Sequence, residues 1–217
     1  MTLITLYYAS GSPFAWRAWL ALEHKSLPYD LQSMSFSDGD LKTPEFRKIN
    51  PRGKVPAIVD DGFSLYESAA ILEYLDEQYP DSDSPLFPGS STDRAHIRRL
   101  INEADLYLDQ ANRKILGPIL FTKKEEWDDR LIASGREAVA AELSNFEAML
   151  SGDYFAGELS AADYTIYPMV ALAQRVDLRK PDLDIASLIG PKMTAWMKRV
   201  ESLPFFAKTY PPHWKAK

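Results

Sequence analysis

The chain has 217 residues, 46% hydrophobic and 26% charged, and its 25 Lys and Arg against 31 Asp and Glu give a net charge of -6. That length gives one large domain or two small ones with an ample core, and the acidic balance excludes the basic stripe of a nucleic-acid binder while leaving local basic groups free to hold small anions. With no cysteine, any mechanism built on a protein thiol, a Cys-x-x-Cys pair or a disulfide is excluded.

Residues 2–8 alternate apolar and polar types, rich in β-branched and aromatic side chains, and stop at Ala9-Ser10-Gly11-Ser12-Pro13. That predicts a strand meeting a turn. The opening stretch has no basic leader and no apolar run long enough for export or for a membrane span, so the expectation is a cytoplasmic protein. Pro13 suits the first turn of a helix, where its missing N–H is no loss. Phe14, Ala18 and Leu22, with Ala15, Trp19 and Leu20, then give that helix an apolar face. Leu27-Pro28 breaks it, and Tyr29 to Met34 reads as a second strand.

Thr43-Pro44 predicts the start of a short helix, with Thr43 as N-cap and Pro44 at the first position. Residues 56–60 and 63–66 predict a hairpin through Asp61-Gly62. Val55-Pro56 before it is a candidate cis peptide, and the residue before a proline is held extended. Residues 67–79 predict a helix opening on Glu67-Ser68, with Ala70, Ile71, Tyr74 and Leu75 on one face. The order is β-α-β-α-β-β-α within about 80 residues. The segment from Pro80 to Ser91, rich in Pro, Ser, Asp and Gly, reads as a linker.

Everything beyond has a helical period. Ile97, Leu100, Ile101, Ala104, Leu108 and Ile115 mark a long run ending near Gly117-Pro118. Leu143, Phe146 and Leu150 mark the next helix, stopped by Ser151-Gly152. Ser160-Ala161-Ala162-Asp163 is an acidic capping box, with Leu159 and Tyr164 placed for a hydrophobic staple. Residues 187–201 form another amphipathic helix. The tail from Phe205, carrying Tyr210, Pro211, Pro212 and Trp214, is expected to pack across the helices. His24, His96 and His213 lack metal-ligand spacing and read as surface or helix-end residues, so no metal site is predicted.

Val55-Pro56, Glu67-Ser68 and the segment Phe155 to Asp163, in this order and at these separations, resemble the motifs of the soluble glutathione S-transferase family, and the likeness runs nearly the whole length of the chain. The resemblance implies that fold: an α/β thioredoxin-like glutathione-binding domain over residues 1–80, a linker over 81–91, and an all-α domain over 92–217 that contributes the electrophile pocket. Leu6-Tyr7-Tyr8-Ala9-Ser10-Gly11-Ser12 is similar to the first strand and turn of the serine-type classes. Ser12-Pro13-Phe14-Ala15-Trp16-Arg17 also resembles the Cys-Pro-Phe segment of the omega class, with serine for cysteine. Both alignments point to Ser12 as the catalytic hydroxyl.

The chemistry this asks for is modest. A thiol has a pKa near ~8.5, and lowering it by ~2 units means stabilising the thiolate by about 2.7 kcal/mol. A hydroxyl donor and a helix N-terminus can supply that. Ser10, Tyr8 and Tyr7 are competitors: Ser10 also reads as a turn residue bonding its own backbone, and the tyrosines as ordinary strand aromatics. By resemblance Glu67 and Ser68 take the ammonium and carboxylate of the γ-glutamyl end, and Val55 binds the cysteinyl backbone beside Pro56 as an added strand would. Lys42 and Lys54 are candidates for the glycine carboxylate. Arg17 is either an aid to the anionic site or a structural arginine. Phe14 is a candidate for the glutathione site and, with Tyr107, Arg113 and Leu116, for the second-substrate pocket.

The resemblance thus implies a glutathione transferase that attacks a small apolar electrophile, with glutathione as co-substrate, acting in detoxification as a homodimer with no nucleic-acid or membrane partner. Two alternatives stand beside it. One is a glutathione-dependent peroxidase, disulfide reductase, dehalogenase or isomerase, although the Ser-Ser-Cys run of the maleylacetoacetate isomerase class is absent. The other is a noncatalytic binding module on the same fold.

Overall fold

The computed structural model describes residues 3–80 and 84–214, and the chain divides into two compact units. The first takes in the described residues of Met1–Gly89 and of Leu203–Lys217, the second Ser90–Ser202.

The first unit is built on a four-stranded sheet in the order β2-β1-β3-β4. Strand β1 (Ile4–Tyr8) pairs parallel with β2 (Tyr29–Ser33) and antiparallel with β3 (Ala57–Asp60), and β3 pairs antiparallel with β4 (Phe63–Tyr66). The parallel pair needs a crossover, supplied by α1 (Pro13–His24). The hairpin turns through Asp61 and Gly62, both at positive φ (47° and 81°) as a two-residue hairpin requires. Helix α2 (Pro44–Ile49) starts as its sequence predicts: the Thr43 hydroxyl accepts the Phe46 N–H at 3.3 Å. Helix α3 (Ser68–Gln78) packs on α1. Ile4, Leu6, Ala18, Leu20, Leu22, Ile58, Ile71, Leu72 and Leu75 are fully buried between these layers.

The second unit is helical: α4 (Ser91–Glu103), α5 (Asp109–Phe121), α6 (Asp129–Met149), α7 (Ala161–Gln174) and α8 (Pro191–Glu201), with short 3-10 turns between α5 and α6 and between α7 and α8. A π-helical turn over Ala104–Leu108 joins α4 to α5 without a break in the chain's helical course. The long run does not stop at Gly117-Pro118, as its sequence suggested; Pro118 sits inside α5, which continues to Phe121. Helix α7 is buried along most of its length and carries the capping segment at its start. There the fully buried Asp163 carboxylate accepts from the Ser160 N–H (3.0 Å), the Ser160 hydroxyl (3.2 Å), the Phe155 N–H (3.1 Å) and the Trp196 indole N–H (2.8 Å).

Two features depart from the sequence reading. Part of the linker is anchored: Leu86 and Phe87 are buried, and the Leu86 N–H donates to Asp76 Oδ1 at 2.7 Å beside the buried Lys25–Asp76 ion pair. Residues 81–83 of that linker lie outside the described residues. The tail also does not belong to the helical unit. Helix α9 (Phe206–Thr209) and the turn Pro212–Trp214 pack on α1 within the first unit. The reason is Trp16, whose buried ring meets Phe206, Tyr210 and Trp214 at centroid distances of 5.8, 5.7 and 5.5 Å. Covering that aromatic surface removes more apolar area from water than a mixed polar helix face would.

Candidate active site

The turn after β1 sets the first functional group. The Ser12 N–H donates to the Ala9 carbonyl at 3.1 Å, closing a four-residue turn with Gly11 third at φ 84°. A type II turn needs that left-handed third residue, which glycine adopts without steric cost. Ser12 then caps α1: its hydroxyl oxygen accepts the Ala15 N–H at 3.3 Å. With the oxygen used as acceptor, the O–H is the remaining donor, and no acceptor for it is found among the described residues. Ser12 is half-buried at the N-terminal end of α1, where the helix field favours an anion.

Of the competing side chains, the Ser10 hydroxyl has a partner and the two tyrosine rings are packed. Ser10 does not bond its own backbone; its Oγ lies 2.8 Å from His213 Nδ1. Tyr7 and Tyr8 leave β1 on opposite faces, Tyr7 packing on Phe46 (5.7 Å) and Tyr8 on Trp19 (5.1 Å). A small cavity lies beneath the turn, lined by Tyr8, Ser10, Ser12, Trp16, Thr209 and Pro211 among others. At about 10 Å³ it holds one water at most.

The second element is the loop from Asn50 to Pro56. Asn50, 2% exposed, organises it: the side-chain amide donates to the Lys54 carbonyl (2.7 Å), and its Oδ1 accepts the Arg52 N–H (3.0 Å). Gly53 has φ 58°, and a Cβ there would lie 2.5 Å from the Leu41 carbonyl oxygen, so only glycine fits. The Val55–Pro56 bond is cis, and Val55 precedes Ala57, the first residue of the β3 ladder. Lys54 is exposed, as is Lys42 at the end of a short 3-10 turn, and neither is ion-paired among the described residues.

The third element is the start of α3. Glu67 stands outside the helix at φ 68° and ψ 105°, a conformation that costs a non-glycine residue about 1–3 kcal/mol and collects at functional sites. No side chain caps α3, so its first N–H groups are left for another acceptor. Ser68, buried, accepts from Arg17 Nη2 at 2.5 Å, which leaves the serine O–H to donate. Arg17, also buried, lies 5.2 Å over the Phe14 ring and joins α1 to α3. Glu67 itself is exposed, 3.8 Å from Arg52. The role that the family resemblance implies for Ser68 predicts that Ser68→Ala raises the KM for glutathione about 10-fold, the worth of one charge-assisted bond, with kcat nearly unchanged. Steady-state kinetics checks this; a loss confined to kcat would remove Ser68 from substrate binding.

In the helical unit the three candidates have different surroundings. Tyr107, in the π turn, is exposed and lines a groove of about 510 Å³ with Glu103, Glu142, Phe146 and Met149. Arg113 is exposed and paired with Asp109 at 2.5 Å, while Leu116 is buried. Among the described residues no group of three or more His, Asp or Glu is placed to hold a metal, and no helix is long and apolar enough to cross a membrane.

Sequence reading gave no role at the candidate site to Asn50, Arg52 or His213, whose contacts lie there. The Asn50-Pro51 dipeptide is a turn signal that points toward the first two. Nothing local points to His213, which meets Ser10 across 203 residues of chain.

Two family models match this chain: the glutathione S-transferase N-terminal domain over residues 11–78, and the glutathione S-transferase C-terminal domain over residues 112–204. The chain belongs to the glutathione S-transferase family. It is 29% identical to glutathione S-transferase A of Pleuronectes platessa over 216 residues, covering 97% of this chain and 92% of that protein. It is 36% identical over 180 residues to the probable maleylacetoacetate isomerase 2 of Drosophila melanogaster, covering 80% and 77%. Among solved structures, a glutathione S-transferase from the Antarctic clam Laternula elliptica superposes with a TM-score of 0.79 at 29% identity, over 100% of this chain and 95% of that one. A glutathione transferase homologue from Sulfitobacter, solved with bound glutathione, does so at 0.79 and 25%, over 96% and 97%. The thioredoxin-like first unit and the helical second unit of this family member are thus those expected of the fold.

Proposed function

We propose that this glutathione S-transferase family member binds glutathione on its first unit and holds it as the thiolate, with Ser12 as the activating donor, for attack on a small electrophile. The observation that carries this reading is the Ser12 hydroxyl: its oxygen is occupied by the Ala15 N–H, so its proton is directed elsewhere, at a helix N-terminus that favours an anion. In this reading the Ser68 hydroxyl and the uncapped N–H groups of α3 take the γ-glutamyl carboxylate, Glu67 the ammonium, and the Val55 backbone the cysteinyl unit beside Pro56. Lys42 and Lys54 are the cations for the glycine carboxylate, Phe14 borders the glutathione, and Tyr107, Arg113 and Leu116 are the proposed contributors to the electrophile side.

Several relatives named as maleylacetoacetate isomerases favour a second reading of the same residues, despite the missing Ser-Ser-Cys run. A thiolate that displaces a leaving group can also add to a double bond and depart after rotation, so the isomerase reading needs no other machinery. Titrating the ultraviolet thiolate absorbance of glutathione bound to the wild-type protein tests the shared step. The apparent pKa is expected about 1–2 units below the free thiol's ~8.5. Binding with no downward shift would overturn thiolate activation and leave a binding module. Assaying the protein on a conjugation substrate and on a cis-olefinic diacid then separates the two reactions.

A further inference from the structure

The segment from Phe206 to Trp214 lies far from the active-site turn in sequence but is clasped to it in space. Trp16, one turn into α1, donates its indole N–H to Thr209 Oγ1 at 2.9 Å, and Thr209, buried, donates in turn to the Phe206 carbonyl at 3.0 Å. Trp214 closes edge-on against Trp16. These contacts bring His213 over the turn. Its Nδ1 meets Ser10 Oγ at 2.8 Å, and its ring edge comes so close to Gly11 that a Cβ there would lie 2.9 Å from Cε1.

Ser10 and Gly11 are the two central residues of the turn whose last residue is Ser12. A side chain bonded to the first and lying close over the second therefore bears on the direction in which the chain enters α1, and with it on the position of the Ser12 hydroxyl. Ser10 is joined to this histidine rather than to its own backbone, so the turn has an external clamp in addition to its internal 3.1 Å bond. His213 itself is exposed and contributes little to the core, which separates its role from that of the buried tryptophans around it.

We propose that His213 is a positioning residue: acting through Ser10, it sets the geometry of the turn that presents the Ser12 hydroxyl to the bound thiol. This rests on the thiolate-activation reading above. It needs no contact between His213 and substrate, and it makes the strap Phe206–Trp214 part of the glutathione-activating apparatus.

The test uses the full chain with glutathione and measures both the bound-thiol pKa and steady-state kinetics. His213→Ala is expected to lower kcat about 3- to 10-fold, the worth of one neutral hydrogen bond. It should raise the pKa of the bound thiol toward that of the free one and leave the KM for glutathione near wild type, because Arg17, Ser68 and Glu67 are untouched. His213→Asn, whose amide reaches the place of Nδ1, should restore most of both. Ser10→Ala should reproduce the loss, and the double variant should lose no more than either single one. Wild-type pKa and kcat in His213→Ala would overturn the proposal, as would a loss that Asn fails to rescue and that tracks only a lowered melting temperature. If the wild type itself does not depress the thiol pKa, thiolate activation fails. If it does and His213→Ala keeps the depression, only the positioning role fails.

Discussion

Ser12→Ala is expected to cut turnover with glutathione by about 10- to 100-fold and to return the bound thiol to a pKa near ~8.5. The magnitude follows from what is removed. A hydroxyl donating to a thiolate makes a charge-assisted bond, worth about 1.5–3 kcal/mol when its partner is charged. The thiolate fraction at neutral pH falls with the rising pKa, so the rate loss should shrink as pH is raised toward the free thiol's value. The KM for glutathione should move little, since its proposed carboxylate and ammonium sites lie on Ser68, the start of α3 and Glu67. Some of the effect belongs to the cap: alanine at an N-cap costs about 1 kcal/mol of helix stability. Ser12→Thr keeps both cap and donor and should retain most of the activity. A shift in thiol pKa that survives Ser12→Ala would move the role to another hydroxyl on the turn or strand.

Asp163→Ala should produce the largest loss of stability. The carboxylate accepts from two backbone N–H groups, a serine hydroxyl and an indole N–H, all buried, and truncation leaves those donors unmet. At about 1–3 kcal/mol for each unsatisfied buried donor, offset by water entering the space, a loss of about 3–5 kcal/mol is expected. For a chain of this size that lowers the melting temperature by roughly 6–20 °C. A pH dependence goes with it. Burial, only partly offset by these hydrogen bonds, pushes the Asp163 carboxyl up to about 6 from its ordinary 3.8. The folded state then binds more protons than the unfolded between those two values, so the stability this group contributes falls as pH rises from about 4 to about 6 and is level above. The stability gap between wild type and Asp163→Ala, measured by denaturant melts across that range, should be wider at the acid end. A gap that widens toward neutral pH would show a carboxylate stabilised in its charged form instead.

Much of this was legible in the sequence because the signals were local. Thr43-Pro44, Asp61-Gly62 and Ser160–Asp163 each carry their structural instruction within four residues, and each folds as read. The elements of the candidate site, Ser12, Val55-Pro56 and Glu67-Ser68, are likewise set by turns and helix starts. What stayed hidden depends on partners remote in sequence. The end of the long helix run was misread because Pro118, a breaker by type, is tolerated inside α5. The tail was misplaced because its apolar residues declare that they are buried, not against what; Trp16 decides that from nearly two hundred residues away. The left-handed backbone of Glu67 has no sequence signal, since glutamate has no preference for it.

The anchoring of Leu203–Trp214 in the first unit has a consequence for synthesis. The ribosome delivers the sheet and α1 first, then the whole helical unit, and only then the segment that covers Trp16 and meets Ser10. At the usual elongation rate the nascent first unit waits on the order of ten seconds with that tryptophan uncovered. The turn bearing Ser12 is begun among the earliest parts of the protein and finished among the last.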